Sequence, residues 1–321
     1  MSYSDRPNAV VLLSAYNGEK YIKAQIESIL RQTFTDFELL VRDDGSDDST
    51  KQIVKELAKT DSRIRFISDD NKGNLGYPKC FYALTDMAPD ADFYFFSDQD
   101  DIWFEDKIER AVDMLSKLPS DVPAAYYGGY TICDEELKPV RNARPAHIPP
   151  KNKSSDLPVC SISLKDTIFE VCGLEFTMAV NRSALELLNN NKPSFCTGRG
   201  TWMSMLYSVY ANIVCDERPC AFYRRHQSAV TASNQSFLGL WLWRIKYLLL
   251  GGGFADFHDI IKDFYLTMGG KLDIKNRRML RLFADDRYFP GVITKVFYPR
   301  RLRSRILDEL ALRFAFLTGR I

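Results

Sequence analysis

The run Phe93-Tyr94-Phe95-Phe96-Ser97 leads directly into Asp98-Gln99-Asp100-Asp101. A short apolar and aromatic run bounded by charge reads as a buried strand, which places the acidic cluster at its carboxyl end. In open α/β sheets that edge is where ligands bind. Clustered carboxylates repel one another unless a cation sits between them. Hard oxygen ligands with open water positions suit Mg²⁺ or Mn²⁺ carrying a substrate diphosphate. An acidic turn that is merely solvated is the competing reading, so the neighbouring motifs must decide.

Two further polar loops follow strand-like runs: Ser14-Ala15-Tyr16-Asn17-Gly18, and Arg42-Asp43-Asp44-Gly45-Ser46-Asp47-Asp48-Ser49. A carboxylate there can accept a bond from a pyrimidine N3–H, and Tyr16 can lie against a base. A turn with a helix cap would account for Gly45 and Ser46 equally well. The elements that must position these loops alternate. Strands are predicted at Ala9–Ser14, Phe37–Val41, Ile64–Ile67 and Asp92–Phe96, and helices at Glu19–Gln32, after Ser46 or Asp47, and at Pro78–Met87. This alternation implies a parallel sheet covered on both faces. Further on, helices are expected at Glu105–Leu118, Ser183–Asn189 and Trp202–Ala211, and strands at Ala124–Tyr130, Val171–Val180 and Ala221–Arg225. Residues 139–158, rich in Pro, Lys, Arg, Asn and Ser, are expected to form a mobile loop over the site or a plain surface excursion.

At 321 residues with 45% hydrophobic and 26% charged residues, the chain has the composition of a folded protein with a substantial core. A net charge of +1 gives no reason to expect nucleic acid as a partner. The seven cysteines, at 80, 133, 160, 172, 196, 215 and 220, contain no Cys-x-x-Cys pair. A reducing cytoplasm is therefore expected rather than a disulfide framework or a structural zinc. No signal peptide is visible, and the apolar stretch from Phe237 to Phe254 is broken by Arg244 and Lys246. From residue 231 onward there are 16 Lys and Arg against 8 Asp and Glu, so the tail is basic and the body acidic.

Taken together, Ser14-Ala15-Tyr16-Asn17-Gly18-Glu19-Lys20-Tyr21, Ser28-Ile29-Leu30-Arg31-Gln32-Thr33, Asp43-Asp44-Gly45-Ser46-Asp47-Asp48-Ser49-Thr50 and Asp98-Gln99-Asp100-Asp101-Ile102-Trp103 resemble the family 2 inverting glycosyltransferases of GT-A fold. The likeness is greatest to the rhamnosyltransferase-like bacterial branch that builds surface polysaccharides. The resemblance implies that the Ser14, Ala15, Tyr16 and Asn17 loop and Asp44 hold the base of a UDP- or dTDP-sugar. It implies Asp98, beside Gln99, at the ribose, Asp100 on the divalent cation, and Asp101 at the donor sugar or acceptor. Lys79 is a further phosphate contact or a solvated helix-start lysine. Phe222-Tyr223-Arg224-Arg225-His226 resembles the family's Tyr-Arg-x-His element, which closes over the diphosphate; a histidine or arginine there can neutralise the leaving group directly or complete the metal shell, and a basic strand end is the plain alternative.

In one respect the chain departs from that pattern. Family members usually place an Asp, often as His-Asp-Trp, at the start of the helix that here contains Trp202, and that acid is the general base. This chain reads Thr197-Gly198-Arg199-Gly200-Thr201-Trp202. Inverting displacement needs a proton acceptor within reach of the attacking hydroxyl. Glu175, Glu170 and Asp101 remain as candidates, with Glu175 the most interesting because an acid among apolar neighbours is costly to bury without a purpose.

The expectation is thus an α/β, Rossmann-like GT-A domain with a mostly parallel sheet over residues 1–230, followed by a basic helical extension over 231–321. In the extension, Trp241, Trp243 and Tyr247 lie near Arg244 and Lys246, and Arg300, Arg301, Arg303 and Arg305 precede an apolar helix at Ile306–Leu317. This combination suits an anionic membrane surface at the inner face of the cell membrane, or a packing appendage. The expected activity is Mn²⁺- or Mg²⁺-dependent transfer of a sugar, rhamnose first, to a glycan or polyprenyl-linked glycan. A sugar-1-phosphate nucleotidyltransferase and a nucleotide-sugar-binding scaffold are the alternatives.

Overall fold

A computed structural model of the chain describes residues 6–68, 73–145, 157–195, 198–226 and 255–319. Strands β1 (Ala9–Ala15), β2 (Phe37–Asp43), β3 (Ile64–Ser68) and β4 (Phe93–Ser97) alternate with helices α1 (Ile22–Leu30), α2 (Thr50–Thr60) and α3 (Lys79–Met87). They pair in the order β3-β2-β1-β4, all parallel. Side chains alternate across a strand. Val10, Leu12, Tyr94 and Phe96 therefore enter one hydrophobic core, while Val11, Leu13 and Phe95 enter the other. The register sets Ala15 beside Asp43 and Leu13 beside Ser97, so the polar loops leave one edge of the sheet together.

Beyond β4 the sheet is mixed. After the short β5 (Ile102–Trp103) and α4 (Lys107–Leu115) come β6 (Ala124–Cys133), β7 (Pro139–Ala143), β8 (Val159–Cys160), the single-turn α5 (Leu164–Thr167), β9 (Met178–Asn181), α6 (Arg182–Asn189), α7 (Arg199–Tyr210) and β10 (Asn212–Arg224). β9 inserts antiparallel between β4 and β6, and β10 runs parallel to β6.

Several predicted boundaries move. Of the expected Val171–Val180 strand only Met178–Val180 is extended, in β9. Glu175–Thr177 is a 3₁₀ turn, closed by the Thr177 amide and hydroxyl, which both donate to the Leu174 carbonyl at 3.0 and 2.7 Å. Pro139–Ala143, expected in a loop, is a strand paired with β6, and residues 146–156 lie outside the described residues. α2 begins at Thr50 because Ser46 is already committed, its hydroxyl donating to Asp43 at 2.5 Å.

In the described part of the extension, α8 (Ala255–Met268), α9 (Ile274–Ala284), α10 (Gly291–Val296) and α11 (Ile306–Leu317) share a core with the sheet. Trp202 meets Phe264 at 5.1 Å between ring centroids, and Phe169 meets Phe283 and Phe316 at 5.4 and 5.6 Å. The aromatic–basic stretch from Trp241 to Leu250 lies outside the described residues. Among the described residues no helix is long and apolar enough to cross a membrane.

Candidate active site

The first two loops are zipped together. Asn17, in left-handed backbone (φ 46°), donates its amide to Ser46 Oγ at 2.9 Å and accepts from the Asp47 amide at 2.9 Å. The Gly18 amide donates to Thr50 Oγ1 at 2.8 Å. From the acidic loop, Gln99 grips Tyr16: its Oε1 accepts from the Tyr16 amide at 2.8 Å and its Nε2 donates to the Tyr16 carbonyl at 2.9 Å. A Cβ at position 18 would lie 2.2 Å from Gln99 Oε1, so glycine is what admits this clamp. Asn17 and Gln99 therefore act on the loop backbone, and the Tyr16 ring remains 44% exposed.

Asp44 is buried and strongly engaged. Its carboxylate accepts from the amides of Leu75 and Gly76 at 3.0 and 2.8 Å and pairs with the buried Arg42, while its own amide donates to the Ala15 carbonyl at 2.7 Å. Ser14 and Ala15 end β1, and Lys79 is an exposed first residue of α3.

The tip of β4 meets the end of β10. Asp100 Oδ2 lies 2.9 Å from His226 Nε2, and the His226 ring packs on Tyr21 at 4.6 Å. Arg224 locks the two segments together, its amide donating to Asp101 Oδ1 at 3.3 Å and its Nε to the Asp100 carbonyl at 3.0 Å. Its Nη1 donates to the Glu135 carbonyl at 2.8 Å, so the guanidinium serves the scaffold, while Arg225 beside it is half-buried. Asp101 is buried, and among the described residues its Oδ2 has no hydrogen-bond partner.

Burial pushes the Asp98 carboxyl up to about 7; the Arg199 guanidinium opposes the rise, and the Asp100 and Glu175 carboxylates add to it. Burial likewise pushes Asp101 well above the ordinary carboxylate range, with Asp100 and Asp98 contributing. Lys107 sits beneath, fully buried, 3.3 Å over the Trp103 ring and bonded to the Phe176 carbonyl. Its ammonium is lowered to about 8 by burial.

The residues present fit a cation that arrives with its ligand. Asp100, past the end of β4, and His226, past the end of β10, could supply one oxygen and one nitrogen, and no group of three such side chains converges among the described residues. Two protein ligands leave positions for phosphate oxygens and water, the arrangement Mg²⁺ and Mn²⁺ favour.

Glu175 opens the 3₁₀ turn before β9. Its Oε1 accepts from the Tyr77 hydroxyl at 3.1 Å and is 3.7 Å from Arg199 Nε. Arg199 is buried, stacked 3.6 Å over the Phe81 ring, with Nε and Nη1 lacking hydrogen-bond partners among the described residues. Glu170, the other candidate acid, instead accepts from the Ser304 amide and hydroxyl at 2.7 Å each, away from this group. Tyr77, Lys107 and Arg199 went unremarked in the sequence. The available signal was a lone arginine in the first turn of α7, where Thr201, Trp202, Met203, Met205 and Leu206 are all buried.

A parallel half-sheet β3-β2-β1-β4 extended by the antiparallel β9 and by β6 and β10, with helices on both faces, is a GT-A fold. Staphylococcus aureus TarS residues 1–349 superpose with a TM-score of 0.56 at 16% identity, over 98% of this chain and 80% of that one, which establishes the fold. Residues 10–178 match Glycosyl transferase family 2, and the chain belongs to that family. The dTDP-rhamnosyl transferase RfbG of Shigella flexneri is 28% identical over 255 residues, 74% of this chain and 78% of its own length. The Escherichia coli UDP-Glc:alpha-D-GlcNAc-diphosphoundecaprenol beta-1,3-glucosyltransferase WfgD is 35% identical over 123 residues, 38% of this chain and 45% of its own. An uncharacterized Rickettsia conorii glycosyltransferase is 33% identical over 143 residues; this chain spans 23% of that protein's length. Family membership sets the nucleotidyltransferase alternative aside, and the chain spans less than half the length of most of the relatives it matches.

Proposed function

We propose that this enzyme transfers a hexosyl or deoxyhexosyl unit, with inversion, from a dTDP- or UDP-sugar to a glycan or polyprenyl-linked glycan of a surface polysaccharide. The observation that carries the reading is geometric: Asp100 pairs with His226 at 2.9 Å, and Glu175 is held by the Tyr77 hydroxyl at 3.1 Å with Arg199 at 3.7 Å. On this reading Asp100 and His226 stand at the leaving group and Glu175 at the acceptor hydroxyl. Likeness to RfbG along most of both chains supports dTDP-rhamnose as donor, and likeness to WfgD supports a diphospholipid-linked acceptor.

Tyr16 lies against the base. Asp100 and His226 would hold Mn²⁺ or Mg²⁺, and a bound cation there would neutralise the departing diphosphate. Glu175 takes the proton of the acceptor hydroxyl as its oxygen bonds to the anomeric carbon and the bond from that carbon to the diphosphate breaks. The acceptor is presented at an anionic membrane surface, to which the basic C-terminal helices attach.

Release of dTDP or UDP from a panel of nucleotide sugars, with Mn²⁺ and a synthetic N-acetylglucosaminyl diphospholipid, tests the reading. Asp100→Ala should lose turnover and metal-dependent thermal stabilisation while keeping the parent's circular dichroism. Full activity in that variant, or binding of every donor without turnover, would overturn the assignment.

A further inference from the structure

Gly200 stands in the first turn of α7 with ordinary helical backbone, so no left-handed conformation demands glycine there. Glycine is less favourable than alanine within a helix. The space beside it explains its presence. A Cβ at position 200 would lie 2.6 Å from Glu175 Oε1 and 2.9 Å from Glu175 Cδ, too close for any real contact. The Glu175 carboxylate thus fills the volume that a side chain at 200 would occupy. It reaches that volume from the 3₁₀ turn before β9, a different element. The surroundings suit a carboxylate: the start of a twelve-residue helix favours negative charge, Arg199 brings a guanidinium within 3.7 Å, and Tyr77 donates at 3.1 Å. The first turn of α7, Arg199-Gly200-Thr201-Trp202, carries no acid of its own.

We infer that positions 175 and 200 are interchangeable sources of one carboxylate, with Glu175 supplying it here and Gly200 acting as the positioning residue that leaves it room. The inference rests on the reading of Glu175 as general base. It requires that the acid be movable: an aspartate at 200 should do the work of Glu175 once the 175 side chain is gone.

The test is a set of variants assayed for kcat and KM with dTDP-rhamnose and the diphospholipid acceptor, alongside donor Kd by calorimetry and melting temperature. Glu175→Gly should lower kcat by about 10²–10⁴-fold, the usual worth of a positioned base, with donor Kd within about twofold of the parent. Gly200→Asp and Gly200→Ala should each lower kcat by displacing the native carboxylate. Glu175→Gly/Gly200→Asp should recover at least about tenfold in kcat over Glu175→Gly, whereas Glu175→Gly/Gly200→Ala should recover nothing. A double variant that melts and binds donor like the parent yet is no faster than Glu175→Gly would overturn the equivalence and leave the base assignment standing. Parental kcat in Glu175→Gly would instead remove the base assignment, and this inference with it.

Discussion

Tyr16 and Asp44 were paired by the sequence as holders of the base, yet they have opposite physical situations. The Tyr16 ring is exposed with its backbone clamped by Gln99, so it is a preorganised platform that costs the fold nothing to lose. Tyr16→Ala should weaken donor binding by roughly 1–3 kcal/mol, the range for one base stacked on an aromatic ring, with an unchanged melting temperature. Asp44, with its side chain and that of Arg42 withdrawn from water, also caps the Leu75 and Gly76 amides. Removing one partner of a buried pair leaves the other charge uncompensated. Asp44→Asn should therefore lose on the order of 3–5 kcal/mol in a urea melt, and a parental midpoint would show that the carboxylate serves a ligand rather than the loop. What could be read at this scale was residue type. The acidic tip announced itself because carboxylates cluster in sequence, whereas Arg199 did not, because its partners Glu175, Phe81 and Asp98 lie more than 20 positions away.

Among the elements, β10 determines where His226 and Arg224 stand, and one buried ion pair fixes its course. Arg110, on α4, donates through Nε to Asp216 at 3.1 Å and through Nη1 and Nη2 to the carbonyls of Pro219 and Arg218 at 2.9 Å each, across the register shift between Asp216 and Pro219. Against the upward push of burial, bonds from Arg218 and Arg110 hold Asp216 below the ordinary 3.8. A carboxylate whose folded pKa is depressed stabilises the protein above its unfolded value, and that stability is lost as pH falls through the folded one. Arg110→Met should cost on the order of 3–5 kcal/mol at neutral pH. Its urea midpoint should also fall less steeply than the parent's below about pH 4, the window this linkage sets; parallel acid limbs would show that Arg110 does not stabilise the charged Asp216. The same scale shows why β1 to β4 were legible and β9 was not. A doubly covered parallel strand is apolar along its whole length, as Ala9–Ala15 is. Val171–Val180 is interrupted by Gly173, Glu175 and Thr177, and the Thr177 amide and hydroxyl close a 3₁₀ turn onto the Leu174 carbonyl before β9 begins.

For the molecule as a whole, α11 shows two faces. Leu312, Ala315 and Phe316 are buried, with Phe316 against Phe169 and Phe283, which ties the extension to the core holding Trp202 and the strands. Ile306, Leu307, Leu310, Phe314 and Leu317 are exposed, and Arg300, Arg301 and Arg305 stand exposed just before them. A basic segment beside an apolar helical stripe suits insertion at the headgroup level of an anionic bilayer. The two faces separate structural from peripheral roles by mutation. Phe316→Ala should cost about 3–5 kcal/mol and lower activity by unfolding, since the cavity opens in the shared core. Leu310→Glu/Phe314→Glu should keep the parent's melting temperature and its rate on a water-soluble acceptor. It should also float poorly with vesicles containing phosphatidylglycerol, and slow turnover only when the acceptor is embedded in them. Equal flotation of parent and double variant would show that the stripe does not meet the bilayer, and flotation unaffected by salt would remove the role given to the arginines.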